Sequence, residues 1–255
     1  MSIQTKAGFN KELFAYLRTK KFLTIALVML GLSILSPLIV SGLGFLMDAM
    51  SDIYDEFGMD VSEMTEMLGT SASIGVTSSV GDITGTAIIV VLLLLNSAAG
   101  GEQKKRSIII PKSAGLKSFA YIFPKFIIYP LSIFILSVIA MFASWGASVI
   151  LFDVNDVTFT GVLLAGILSG ICLMMYTCFH LTLGTATGQA GMSAAVCISA
   201  SVIFSNIFAF VDIGYMFNPF ALNILAVSSV QNSYVTGSEL LDIGITIAIL
   251  LLFIK

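Results

Sequence analysis

From Phe22 to Met47 the chain runs without one charged residue. A helix needs about 20 apolar residues to cross a hydrocarbon core about 30 Å thick. Lipid offers a backbone no hydrogen-bond partners, so a spanning segment must satisfy its own, as a helix does. Comparable runs lie at about 83–99, 126–152, 161–183, 192–211 and 240–254. They are continuous, not alternating as in a barrel strand. Composition agrees: 57% of the residues are hydrophobic and 11% charged, against about 25% charged in a soluble domain. A soluble protein of this length could not bury so much apolar surface. The expected fold is all-α and polytopic, with six transmembrane helices in a single domain over residues 1–255.

Charge placement sets the expected orientation. The twelve Lys and Arg residues fall in three places. Lys6, Lys11, Arg18, Lys20 and Lys21 lie near the start. Lys104, Lys105, Arg106, Lys112, Lys117 and Lys125 occupy one stretch, and Lys255 is last. Of the fifteen acids, Glu12 and Glu102 share those segments, and eight lie between Asp48 and Asp82. Basic loops stay in the cytoplasm. Six spans with both termini inside put all twelve basic residues there, which implies a multi-pass protein of a cell membrane, bacterial by expectation. No cleavable signal peptide is expected, because the first apolar run starts after twenty polar-leaning residues and is too long for a signal core. Cys172, Cys178 and Cys197 all fall within spans and are expected to be free thiols.

The connecting segments carry the rest of the information. Residues 6–22 have Phe9, Leu13, Phe14, Leu17 and Lys21 at three-and-four spacing, with Asn10 as a candidate cap. This predicts an amphipathic helix at the cytoplasmic interface, with a plain charged tail as the other reading. The outer loop 48–82 holds eight acids and no base. It is either a solvated loop or a meeting point for cationic cargo. The cytoplasmic loop 100–125 combines a basic triplet with Ile108, Ile109, Ile110, Leu116, Phe119 and Tyr121. Apolar residues beside charge in a loop predict a short helix pressed on a partner or on the membrane surface. Residues 184–191 form a tight, uncharged connection. Asn218 and Pro219 begin an apolar run of about twelve residues, too short to span, which predicts a re-entrant or interfacial helix on the outer side.

Several chemistries are excluded. The chain has one histidine, His180, so multi-histidine metal sites and HExxH are ruled out. It has no phosphate-binding lysine loop and no GxSxG. No catalytic residue, metal site or cofactor site is expected, and nucleic acid is not an expected partner. Gly166 and Gly170 form a small-xxx-small pair, open to packing within the chain or to dimerisation. Asn96, Ser97, Ser205 and Asn206 are candidate lining of a cavity.

Taken together, the layout resembles the type-2 permease family of ABC transporters. Its order is an interfacial helix, six spans, a basic loop after the second span and a short outer helix before the sixth. Glu102 with Lys104, Lys105 and Arg106, then Pro111, Ser113 and Lys125, is similar to the family's acidic-then-basic loop ending in a lysine at the start of span three. Two departures stand. Ser107-Ile108 occupies the place of the family's common Gly-Thr, and fourteen residues separate Pro111 from Lys125 where the family's spacing is usually shorter.

The resemblance implies an export permease that dimerises with a second protomer, identical or not. Each protomer would pair with a separate ABC ATPase subunit, which binds the ATP, while membrane lipid surrounds the spans. Loops after spans two and four would contact the ATPase. Glu102, Lys104, Lys105, Arg106 and Lys117 would carry the coupling. A mostly apolar cavity suits an amphipathic peptide or drug-like cargo. The alternative is a membrane binding or immunity protein that sequesters a toxic peptide without ATP.

Overall fold

A computed structural model describes residues 3–50, 71–102, 109, 113, 115–152, 156–207, 222–234, 241 and 243–249, with backbone alone at 48 and 204–207. Every regular element among them is helical. In chain order these are α1 (Ile3–Arg18), α2 (Lys21–Ala49), α3 (Ala72–Gly101), α4 (Ser118–Leu151), α5 (Phe159–Thr187), α6 (Ala190–Ile207) and α7 (Leu222–Asn232). Residues 243–249 are also helical. Helices α2, α3, α4 and α5 are each long and apolar enough to cross a membrane. The chain is thus all-α, with the helices of a multi-pass membrane protein.

The second span begins earlier than the hydropathy implies. Helix α3 starts at Ala72, so residues 72–82 belong to it and not to the acidic loop. The cause lies in its cap. Ser71 is extended, and its side chain accepts from the Ile74 amide at 3.3 Å. Asp156 Oδ1 accepts from the Ser73 amide at 2.9 Å, placing a carboxylate at the positive end of the helix. Two π-helical stretches, Asp82–Ala87 and Ser97–Gly101, interrupt α3. Likewise α4 starts at Ser118 and takes in Tyr121, Pro124 and Lys125, which shortens the expected loop.

Close backbone approach holds the spans together. A Cβ on Gly170 would stand 2.6 Å from the Phe134 ring, and one on Gly166 would stand 3.1 Å from Val138 Cα. The small-xxx-small pair therefore seats α5 on α4 within the chain. Near the other end of α5, a Cβ on Gly184 would lie 2.7 Å from the Ala99 carbonyl oxygen, and one on Gly100 would lie 2.4 Å from the Gly184 carbonyl oxygen. Helix α5 then stops at Gly188, whose φ of 68° closes the turn into α6.

Proline adds a second device. Pro37 inside α2 has no N–H to give the Ser33 carbonyl. Ser79 Oγ of α3 lies 3.0 Å from that carbonyl as a donor, and 2.7 Å from Ser144 Oγ of α4. Gly75 lets α3 approach the kink, since its Cβ would sit 3.2 Å from Pro37 Cα. A buried hydroxyl seam thus supplies the hydrogen bonding that lipid cannot.

Helix α1 differs from the expected pattern. It begins at Ile3, so Asn10 is interior and not a cap. Thr5, Glu12 and Tyr16 are its buried residues, while Leu13, Phe14 and Leu17 are exposed. The polar face packs on the bundle and the apolar face points outward, as suits a helix with lipid on one side. A short helix is found near the expected position as α7, over Leu222–Asn232, packed on α5 and on the start of α3. Asn218 and Pro219 lie outside the described residues.

Gly184→Val is expected to destabilise the fold by about 1–3 kcal/mol, the usual cost of overpacking. Gly31→Ala, interior to α2 with nothing within 4 Å of the new methyl, should not destabilise and should add up to about 1 kcal/mol from helix propensity. Unfolding midpoints of the two purified variants in one detergent check this. Equal midpoints would remove the α3–α5 close approach as a determinant.

Candidate functional site

A cluster of charged and phenolic groups joins three elements at the basic end of the bundle. Lys125, near the start of α4, has 0% exposure. Its ammonium makes three donor contacts: the Ala98 carbonyl at 3.0 Å, Glu102 Oε2 at 2.7 Å and the Tyr121 hydroxyl at 2.9 Å. Three contacts satisfy an ammonium's three protons. Ala98 lies in the terminal π-helical stretch of α3, where free carbonyls and the helix dipole favour a cation.

Glu102 follows that stretch directly. It accepts from Lys125, from the Tyr121 hydroxyl, and on Oε1 from Lys11 of α1 at 3.3 Å. Burial raises its pKa. The charge of Lys125, hydrogen bonds from Lys125 and Tyr121, and the charge of Lys11 outweigh that and hold the carboxyl at about 2. Glu12 of α1, 4% exposed, is the second acid. It lies 3.4 Å from Lys11 and 3.9 Å from Lys125, and its Oε2 accepts from the Tyr129 hydroxyl at 2.9 Å. Two cations and two carboxylates therefore neutralise one another.

Aromatic rings close the cluster. The Lys125 ammonium stands 4.2 Å from the Tyr121 ring centre and Lys11 stands 5.4 Å from it. Tyr16 meets Tyr129 edge-on at 4.9 Å and exchanges a 3.0 Å hydrogen bond with Ser132. Burial raises the Tyr16 phenol above its ordinary value, opposed by the Ser132 bond. Gly8 brings α1 against α4, since its Cβ would lie 2.4 Å from the Ala120 carbonyl oxygen. Gln4 clasps the turn before α4, donating to the Gly115 carbonyl at 3.3 Å and accepting from the Lys117 amide at 3.5 Å.

Of the expected site residues, Glu102 sits at the cluster's centre. Lys117 precedes α4 with its backbone held by Gln4 and its side chain exposed. Lys104, Lys105 and Arg106 lie outside the described residues. Asn96 and Ser97 fall near the basic end of α3, and Lys21 of α2 donates to Ser97. Both line a recess of about 610 Å³ with Gly101, Gly188, Gln189 and Gly191. The end of α3 and the α5–α6 turn thus share one concave surface. Ser205 and Asn206 belong to α6, and their side chains lie outside the described residues.

Glu12, Tyr121 and Tyr129 were not anticipated as members of the cluster around Glu102 and Lys125. Their signals are local. Glu12 is the lone acid among five bases, and Tyr121, Lys125 and Tyr129 repeat every four residues, so they share a helix face. His180, fully buried, pairs with Ser193 at 2.8 Å across the α5–α6 turn and serves packing. Among the described residues no group of three or more His, Cys, Asp or Glu residues is arranged to hold a metal ion. No protein-family model, curated protein or solved structure matches this chain.

Lys125→Met leaves two carboxylates to share Lys11, and removing one partner of a buried ion pair typically costs about 3–5 kcal/mol. Lys125→Met with Glu102→Gln should recover most of the loss, as thermal unfolding of both variants at neutral pH will read. Equal losses would show that the cluster's charges are not coupled.

Because the folded Glu102 pKa is depressed, its contribution to stability is full above about pH 4.5 and fades as pH falls toward about 2. Glu102→Gln should flatten the unfolding midpoint across that window. A wild-type slope persisting in the variant would assign the acid response elsewhere.

Proposed function

We propose that the chain is the membrane-spanning permease subunit of an ATP-driven ABC exporter. It pairs with a separate ATPase chain and works as a dimer, homo- or heteromeric. Six spans with both termini in the cytoplasm of a bacterial cell complete the proposal. The observation that carries it is the Lys11–Glu12–Glu102–Lys125 cluster. This cluster ties α1, the end of α3 and the start of α4 into one base. The basic loop containing Lys104, Lys105 and Arg106 leaves from that base.

A loop that converts partner motion into movement of spans needs stiff attachment at both ends. Here the α3 end is held by Glu102 and the Gly100–Gly184 contact, and the α4 end by Lys125 and Gln4. The α5–α6 turn and the last residues of α3 border one recess, so a partner seated there would touch that turn and the helix end from which the basic loop leaves. Lys117 and the basic triplet would meet acidic residues of that partner. The long-range part of the encounter would then depend on salt. ATP hydrolysis belongs to the partner, and this chain is not itself an enzyme.

The test is recovery of the tagged chain from its native membrane in mild detergent, with mass spectrometry and an ATPase assay. A co-purifying ABC ATPase with vanadate-sensitive turnover is the expected result. Simultaneous Lys104→Glu, Lys105→Glu and Arg106→Glu substitutions should lose the ATPase or uncouple it, with membrane insertion intact. A chain that comes out alone, or with a peptide only, would overturn ATP coupling in favour of peptide sequestration.

A further inference from the structure

Asp82 carries a charge into the membrane-spanning part of the fold. It is the eleventh residue of the thirty-residue helix α3, about 7 Å from the helix midpoint at 1.5 Å per residue. It opens the π-helical stretch Asp82–Ala87, a rare geometry that recurs at functional sites. Among the described residues no ion pair reaches it. Its contact is a hydrogen bond of 2.5 Å from Ser36, which is itself 3% exposed.

The surroundings of Asp82 are equally specific. Gly81, Gly85, Thr86, Ile89 and Leu93 are the exposed residues between 81 and 93, and helical spacing puts Asp82 in the middle of their face. A Cβ on Gly81 or on Gly85 would meet nothing within 4 Å. This face borders a recess of about 230 Å³, lined by Gly81, Thr84, Gly85, Ile89, Ser201, Val202 and Asn223. Asn223 Oδ1 is buried there without a hydrogen-bond partner among the described residues. Asp82 stands beside this recess and is not among its lining residues; its carboxylate and Asn223 Oδ1 are both acceptors.

Ionisable side chains within spans face a bundle interior or a water-filled cavity, because lipid solvates charge poorly. A carboxylate centred on a face that no described residue covers therefore marks that face as a path and not as a lipid boundary. Acceptors, negative charge and apolar walls together select a cation with an apolar body. We infer that the Asp82 face of α3 binds the cationic group of an amphipathic organic ligand, with Gly81 and Gly85 making room for its apolar part. The inference rests on the permease reading only in naming that ligand as cargo.

The experiment is equilibrium binding of radiolabelled tetraphenylphosphonium to the purified full chain in zwitterionic lipid nanodiscs, without ATPase. Saturable binding is expected, weakened at least tenfold by Asp82→Asn and largely kept by Asp82→Glu. The neutral triphenylphosphine oxide should not displace the probe. Gly85→Leu should weaken binding too, and since its side chain enters open space it keeps the test alive if Asp82→Asn fails to fold. Absence of saturable binding, undiminished binding in a folded Asp82→Asn, or displacement by the neutral compound would overturn the inference. Loss of the site beside an intact ATPase complex would leave the permease standing. Binding without any ATPase partner would do the reverse.

Discussion

Lys125 is the point from which the basic end of this protein is organised. A fully buried ammonium is tolerated only where every proton has an acceptor and a negative charge lies close. Here the acceptors come from α3 and from Tyr121 of α4, with the charges of Glu102 after α3 and Glu12 of α1 close by. Each helix is therefore placed by a requirement of the others. Buried ion pairs contribute modestly to net stability compared with apolar packing, yet they define one arrangement sharply. That suits a fixed base for the connection that follows Glu102.

The orientation of α1 follows from the same requirement. Glu12 and Tyr16 point inward because their partners, Lys125, Tyr129 and Ser132, are inside. Leu13, Phe14 and Leu17 are left facing outward. In water that arrangement would be costly, whereas beside lipid it is favourable. Membrane surroundings and the buried charge cluster thus support each other. At mid-depth the logic is different. The hydroxyls of Ser79 and Ser144 repair the gap that Pro37 leaves, while Asp82 stays on a face that no described residue covers, with Ser36 as its donor.

Much of the architecture was legible in the chain. Continuous apolar runs located α2, α5 and α6 to within about four residues and the end of α4 to within one, while α4 starts eight residues earlier than its apolar run. The start of α3 was not legible. Residues 72–82 mix Ser, Thr and Gly with Ile74, Val76 and Val80, and their helix start is capped by Ser71 and by Asp156, which is distant in sequence. Asn96 and Ser97 were read as polar lining and border a recess, but near the basic end of α3. Glu102 was legible as an acid ahead of a basic run. Its attachment to Lys125 was not, since twenty-three residues separate them.

The sequence by itself determined the class of fold and the segregation of basic residues, because hydrophobicity and charge act through composition and order along the chain. It also excluded a multi-histidine metal site, since the chain has one histidine. Tertiary structure decided which charges meet. Lys11, Glu12, Glu102 and Lys125 form one neutral cluster only because α1, the end of α3 and the start of α4 converge. Asp82 lies within a span only because a distant carboxylate and a serine cap start α3 early. Pairing and depth are matters of position in space, and helices brought together by close glycine contacts set that position.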